Sequence, residues 1–471
     1  MRPFIRCLGL AALVVAAGAG CHKKSKPDYP RGGSTTGPTS NTPNPTNPVV
    51  TTTTLPDGTV GQAYAATLAA QNGTAPYRWS ITAGSLPAGL TLDLISGAIS
   101  GTPTAVGLSS FTARVTDDAG KTADQALSIN VVAGAPGPGT WADLQQPRLP
   151  TPLAGMAIAS VADKVYLFGG LTDAGLSNQI LVFDPATNMV TQEPPTFPTA
   201  RAYMAATAVG TKIYICGGSD ASAVYADSYV YDTVARTLSP IAPMPGERDS
   251  VTCAAVGTDL FVFGGAEIDL NTFMFIPTAD VWKYSTTSDT WTALSTTLPQ
   301  RNQWALALAA GGKIYLVGGC DFELDFIAQT QTTVANYATV YEFDPATATL
   351  TPKASLPAGT KCHTGDVING RLYVAGGERT TGLHDNAVLF ADPVRDTYAY
   401  DPATDTWTTL TPFETNVPGQ GPFGGRALAG AAAANGKLYL FGGYTLPQPN
   451  MTVPPPPTQQ GVTDGIAEFT P

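Results

Sequence analysis

A chain of 471 residues is too long for one ordinary compact domain, and its 43% apolar content supplies a substantial core. Only 13% of residues are charged, while glycine (49) and proline (40) are abundant, which fits many short strands joined by turns rather than long capped helices. Residues 1–31 hold six cations and one acid, whereas the rest holds 19 cations against 35 acids. Such an acidic surface repels a phosphate backbone and excludes nucleic acid as a partner.

At the N-terminus, Arg2 and Arg6 precede the short apolar run "CLGLAALVVAAGAG" (7–20). A basic start, a short apolar stretch and small residues before a cleavage point predict a signal peptide over 1–20, too short for a comfortable membrane span. The "GAGC" that ends at Cys21 resembles a bacterial lipoprotein box, although Gly18 stands where that family usually has Leu. The resemblance implies that Cys21 becomes the lipidated first residue. His22 rather than Asp follows it, which by the family's sorting rule implies the outer membrane of a Gram-negative bacterium. Residues 21–48 are rich in Ser, Thr, Pro and Asn and are expected to be a disordered tether between lipid and globular chain.

From 49 to 133, short runs such as "AYAATLAA", "YRWSIT" and "SSFTARVTD" are broken by Gly, Pro, Asn and Asp, the spacing of a β-sandwich. The stretch "LPAGLTLDLISGAISGTPTAVG" (86–107) resembles the immunoglobulin-like, cadherin-related modules of bacterial surface proteins, with Ser96 where that signature often has Thr. Asp117 and Asp118 are expected to form a solvated turn, because the acidic linker motifs that share calcium between cadherin domains are absent. "GAPGPG" (134–139) reads as a linker.

A seven-residue pattern then recurs six times: "KVYLFGG", "KIYICGG", "DLFVFGG", "KIYLVGG", "RLYVAGG" and "KLYLFGG", with first glycines at 169, 217, 264, 318, 376 and 442. An aromatic residue follows each pair (Phe183, Tyr231, Tyr284, Phe343, Tyr400, Phe469). Seven residues after the first five stands an apolar one: Val190, Leu238, Trp291, Leu350 and Trp407. The sixth repeat runs out of chain before that position. Trp141, 28 residues ahead of Gly169, matches the 26–27 residue lead of Val190, Leu238, Trp291 and Leu350 over the following glycine pair. The missing strand is therefore expected from "TWADLQQ" (140–146), closing a ring without exposed edges. This pattern resembles the kelch repeat, in which a double glycine ends the second strand of each four-stranded blade. The expected fold is all-β: an N-terminal immunoglobulin-like sandwich and a six-bladed propeller over 140–471. Small residues in "YMAATAVG" and "SVTCAAVG" suit innermost strands at a narrow centre.

The resemblance places the loops after the glycine pairs, and those entering the first strands, on one face. Long insertions fall there at 266–280, 320–337, 378–396 and 444–465. Candidate ligand contacts on this face are Phe273, Phe275, Phe322, Phe326, His363, Arg379 and His384. A cation recurs before the first strands: Arg201, Arg248, Arg301, Lys361 and Arg426. The preferred reading pairs these between neighbouring blades, as Asp220–Arg248, Glu267–Arg301, Asp321–Lys361 and Glu378–Arg426; the other reading is a cationic collar for an acidic ligand. Asp321, Glu323 and Asp325 are a weak calcium candidate. Cys216, Cys253, Cys320 and Cys362 allow three pairings, and their positions relative to the glycine pairs select Cys216–Cys253 and Cys320–Cys362.

No catalytic residue and no cofactor are expected. Galactose-oxidase-like proteins need two histidines and a Tyr-His at copper; the chain has three histidines, one of them His22, and neither His363 nor His384 follows a tyrosine. The reading is a membrane-tethered, extracytoplasmic binding protein whose loop face takes a protein or glycan, with a monomer assumed. The alternatives are a carbohydrate-active propeller enzyme, galactose-oxidase-like or sialic-acid mutarotase-like, and a calcium-dependent adhesin.

Overall fold

The computed structural model describes residues 47–132, 137–220, 222–269, 274–325, 330–384, 388–413, 415–416, 422–423, 425–445 and 461–471. The described chain is all-β, with no helix among these residues. Cys21, the signal peptide, most of the tether, Phe273 and Phe326 lie outside them.

In the N-terminal module, alternating apolar residues on Gly107–Thr116 and Thr122–Val132 put Phe111, Ala113, Val115, Leu127, Ile129 and Val131 on one face. That face belongs to a four-stranded sheet completed by Gly58–Thr59 and Arg78–Gly84. A three-stranded sheet of Tyr64–Thr67, Ala98–Gly101 and Leu90–Leu92 supplies Tyr64, Ile99 and Leu90 to the same core, with Trp79 from the larger sheet. Asp117 departs from the solvated turn expected of it. It is buried, and its carboxylate accepts the backbone N–H groups of Thr74 (2.9 Å) and Lys121 (2.8 Å). A short acid beside unpaired turn amides is more stable folded over them than solvated.

Six four-stranded antiparallel sheets follow. The first, blade one, runs Ala157–Val161, Lys164–Phe168, Ile180–Asp184 and Met189–Gln192. The innermost strands of blades two to six are Ala205–Val209, Thr252–Val256, Leu306–Ala310, Thr364–Ile368 and Gly430–Ala434. Each packs on the next, and Gly430–Ala434 packs on Ala157–Val161, so the ring closes. Each innermost strand turns into its second strand through two residues, among them Gly210–Thr211, Asn369–Gly370 and Asn435–Gly436. Asn, Asp and Gly tolerate the left-handed backbone that such hairpins require.

The outer strand of blade six is Thr140–Leu144, paired antiparallel with Ile466–Thr470, and Trp141 lies opposite Phe469. The Trp141 indole N–H donates to Thr397 Oγ1 and to the Thr411 carbonyl, both at 3.1 Å. Trp291 and Trp407 make the equivalent bond to Ala242 and Ala354 of their preceding blades, each at 2.8 Å. Trp141 thus latches blade six to blade five as Trp407 latches five to four.

The glycine pairs work between blades. All twelve have positive φ. A Cβ on the first glycine of each pair would lie 1.9–2.6 Å from a carbonyl of the next blade, those of Arg201, Arg248, Asn302, Thr360, Arg426 and Leu153 in turn. The second glycine's N–H donates to that same carbonyl. No side chain fits, which is why the motif recurs.

Candidate binding site at the loop face

Two residues after each of those six carbonyls stand Gly155, Tyr203, Ser250, Trp304, Cys362 and Leu428. All have left-handed φ between 52° and 60°. The N–H of each donates to the carbonyl of its counterpart in the preceding blade, and Gly155 donates to Leu428, giving a closed belt of six bonds of 2.8–3.3 Å. For the five non-glycine members this backbone costs about 1–3 kcal/mol each and persists only because the belt enforces it. Their side chains ring the mouth of a central channel of about 190 Å³. Tyr203 and Trp304 flank Ser250 on one side, facing Leu428 and Gly155 on the other. Below them Met156, Met204, Val251 and Leu306 line the wall.

Charges around the mouth are paired, in a register different from the expected one. Arg248 binds Glu267 (2.8 Å) and Asp280 (2.5 Å), Arg301 binds Asp321 (3.0 Å), and Lys361 binds Glu378 (3.0 Å). Each pair lies within one blade, so the inter-blade pairs Asp220–Arg248, Glu267–Arg301, Asp321–Lys361 and Glu378–Arg426 are corrected. The first strand of a blade runs antiparallel to its second, and the ladder continues past the glycines: Lys361 stands directly opposite Glu378. Asp220 instead caps its own turn through Ser222 and Ala223 and accepts the Tyr225 hydroxyl at 2.5 Å. That hydroxyl bond, with the turn amides, holds Asp220 down at about 2. Arg426 is buried and donates to the Gly442 and Gly465 carbonyls.

The cations are not a single ring either. Arg201, Arg248 and Arg426 occupy one structural position, filled by Asn302 and Thr360 in blades four and five, so Arg301 precedes it and Lys361 follows it. Arg201, only 1% exposed, bonds Asp227 at 3.0 and 3.1 Å and stacks 3.9 Å over the Tyr225 ring. Arg379 binds Asp396, which also accepts the Tyr398 hydroxyl at 3.0 Å. Asp227, Asp280 and Asp396 were missed from sequence. Their signal was present: an aspartate two residues ahead of an aromatic on the third strand, in "DSY", "DVW" and "DTY".

The structure also relocates His363. It is buried, with Nε2 3.0 Å from the Val317 carbonyl and its ring against Gly318 of blade four. Burial lowers its pKa to about 4, so it is a neutral wedge between blades rather than a loop-borne ligand contact. Asp249 is buried beside the belt and accepts the hydroxyls of Ser219 and Ser250, both at 2.9 Å; burial raises it to about 6. Tyr203 lies in the field of Tyr444, Asp249, Cys362 and Glu378, and burial above all raises its hydroxyl well past the ordinary tyrosine range.

Insertions from blades three and four join into one further sheet in the order Ala266–Asp269, Met274–Pro277, Cys320–Asp325, Thr330–Asn336, with Phe275 opposite Leu324. Blade five adds the hairpin Glu378–His384 and Val388–Pro393. Phe275, Phe322, Glu323, Asp325 and His384 have strand backbone here, and their side chains lie outside the description, so the calcium candidate stays undescribed. Among the described residues no group of three or more His, Cys, Asp or Glu side chains could hold a metal ion.

Comparison with known proteins agrees with this architecture. The family described as the KLHDC2/KLHL20/DRC7 Kelch-repeats domain matches residues 120–319, the Kelch motif matches 359–414 and the Putative Ig domain matches 47–132. The first match begins at residue 120 and takes in the strand Thr122–Val132, which the structure assigns to the N-terminal sandwich by its hydrogen bonding. Kelch domain-containing protein 3 of Homo sapiens is 28% identical over 209 residues, 44% of this chain and 50% of that protein. N-acetylneuraminate epimerase of Pasteurella multocida (strain Pm70) is 39% identical over 87 residues, 18% of this chain and 22% of that protein. The chain thus spans half or less of the length of these relatives. The solved structure titled "Structure of YjhT" superposes with a TM-score of 0.52 at 17% identity, covering 68% of this chain and 95% of that one, a likeness of fold.

Proposed function

We propose that this chain, a kelch-repeat β-propeller preceded by an immunoglobulin-like module, is a binding protein whose loop face recognises a protein or glycan outside the cytoplasm. The observation that carries the reading is the asymmetry of the two faces. One face has two-residue turns; the other carries an added sheet, a further hairpin and a channel mouth set with Tyr203 and Trp304. Aromatic side chains beside paired charges form the anchor-and-rim composition of recognition surfaces. No catalytic constellation is assigned; Arg248 and Lys361 at the mouth are held by carboxylates of their own blades, and Arg426 by backbone carbonyls. The carbohydrate-active alternative draws on the short match to N-acetylneuraminate epimerase and on Asp249 and Glu378 near the mouth.

Shortening the insertions at 266–280, 320–337 and 378–396 in separate variants tests the site. At least one well-folded variant is expected to lose ligand binding tenfold or more; full binding by all three places the site elsewhere. We further propose that Cys21 carries a lipid and that residues 22–48 hold the folded part off an outer membrane. Cys21→Ser is expected to move the protein from the membrane fraction to the soluble one, and retention with membranes would place the anchor elsewhere.

A further inference from the structure

All four cysteines of the propeller are buried free thiols here, not the two bridges expected from sequence. Their placement is nevertheless pairwise. Cys216 ends the second strand of blade two, and Cys253 lies on the innermost strand of blade three; both belong to one apolar cluster with Val251, Val262 and Trp282. The next residue, Gly217, packs on Val251, two positions from Cys253. A hydrogen bond with the Cys216 sulfur, together with burial, holds the Cys253 thiol well above its usual range.

The second pair has a similar setting. Cys320 exchanges two backbone bonds of 3.0 Å with Gln303, and the Cys362 N–H donates to the adjoining Trp304 carbonyl at 3.3 Å. Both cysteines therefore converge on residues 303–304 from blades four and five. Burial pushes the Cys320 thiol up to about 12, while Cys362 Sγ lies 3.7 Å from Glu378 Oε1 at the mouth.

We propose that Cys216–Cys253 and Cys320–Cys362 are disulfide sites, each clamping two neighbouring blades beside the central channel, and that the second also fixes the belt at the mouth through Cys362. Each closure releases two protons and two electrons to a disulfide donor of the thiol-exchange class, which leaves as two thiols. In the finished fold the thiols are buried away from any exchange partner, so exchange takes place on the folding chain before the blades close. The bridges are independent of any ligand reading.

The full chain is expressed into an oxidising compartment, denatured without reductant, alkylated with iodoacetamide and mapped by peptide mass. Linked peptides 216–253 and 320–362 are expected, with all four of these thiols protected from alkylation. The oxidised protein is expected to melt about 5–10 °C above the same protein after reduction. Cys216→Ser is expected to retain the 320–362 link and part of the shift. Four alkylated thiols, a crossed link such as 216–320, or equal melting points would overturn the proposal.

Discussion

Trp141→Ala is expected to lower stability by about 3–4 kcal/mol, a fall in melting temperature of about 6–10 °C, although the residue sits on an outermost strand. Its ring lies 5.0 Å from Phe469 and 5.5 Å from Phe413, and its indole N–H serves two acceptors of blade five. Truncation removes apolar contact and leaves those acceptors to find water. Position adds to the cost, because the strand joins the two ends of the propeller. Deleting residues 140–144 goes further: it exposes Ile466–Thr470 as a new edge, and concentration-dependent association is expected on size-exclusion chromatography. A Trp141→Ala melting point within about 1 °C of the parent would show that closure contributes little.

The second large effect is a dependence on pH. Asp366 sits on the innermost strand of blade five, where its carboxylate accepts the N–H of Val367 and of Ala433 in blade six, both at 2.7 Å. Burial raises its pKa from 3.8 to about 6. A carboxyl whose folded pKa is raised is held in the fold more favourably when protonated. Its penalty is absent below about pH 4, grows between pH 4 and 6, and is complete above that, at about 3 kcal/mol for a shift of roughly two units. Asp249, also raised to about 6, has the same sign. Asp366→Asn is neutral throughout and keeps an acceptor for Ala433. Urea unfolding at pH 7.5, 6.0 and 5.0 is expected to show the parent gaining on Asp366→Asn as pH falls. Parallel profiles would contradict the buried, ionisable placement. The comparison stops at pH 5 because carboxylates held down by hydrogen bonds, such as Asp220, lose stability in more acid solution.

The blade count was legible because each glycine pair meets a constraint that only glycine meets, a positive φ under a neighbouring carbonyl. Trp141 was legible because its lead of 28 residues over Gly169 is close to the 26–27 of Val190, Leu238, Trp291 and Leu350 over their following pairs. The charge pairing was not. Spacing showed that cations and acids recur, but only the antiparallel register decides that Lys361 faces Glu378 of its own blade. His363 looked like a loop histidine because sequence carries no sign that its side chain turns back under Val317. The belt was invisible for a different reason. Gly155, Tyr203, Ser250, Trp304, Cys362 and Leu428 share a backbone conformation and no side-chain chemistry, so nothing in their letters repeats.

Recognition at the mouth and added sheet is the central claim, and a glycan and protein array probed with the soluble region 47–471 tests it most directly. Saturable binding of one ligand class is expected, lost on Trp304→Ala or Tyr203→Ala in protein that still melts as a folded propeller, with the ligand recovered chemically unchanged. Ligand converted to product, with conversion stopped by Asp249→Asn or Glu378→Gln, would contradict it and establish the carbohydrate-active reading.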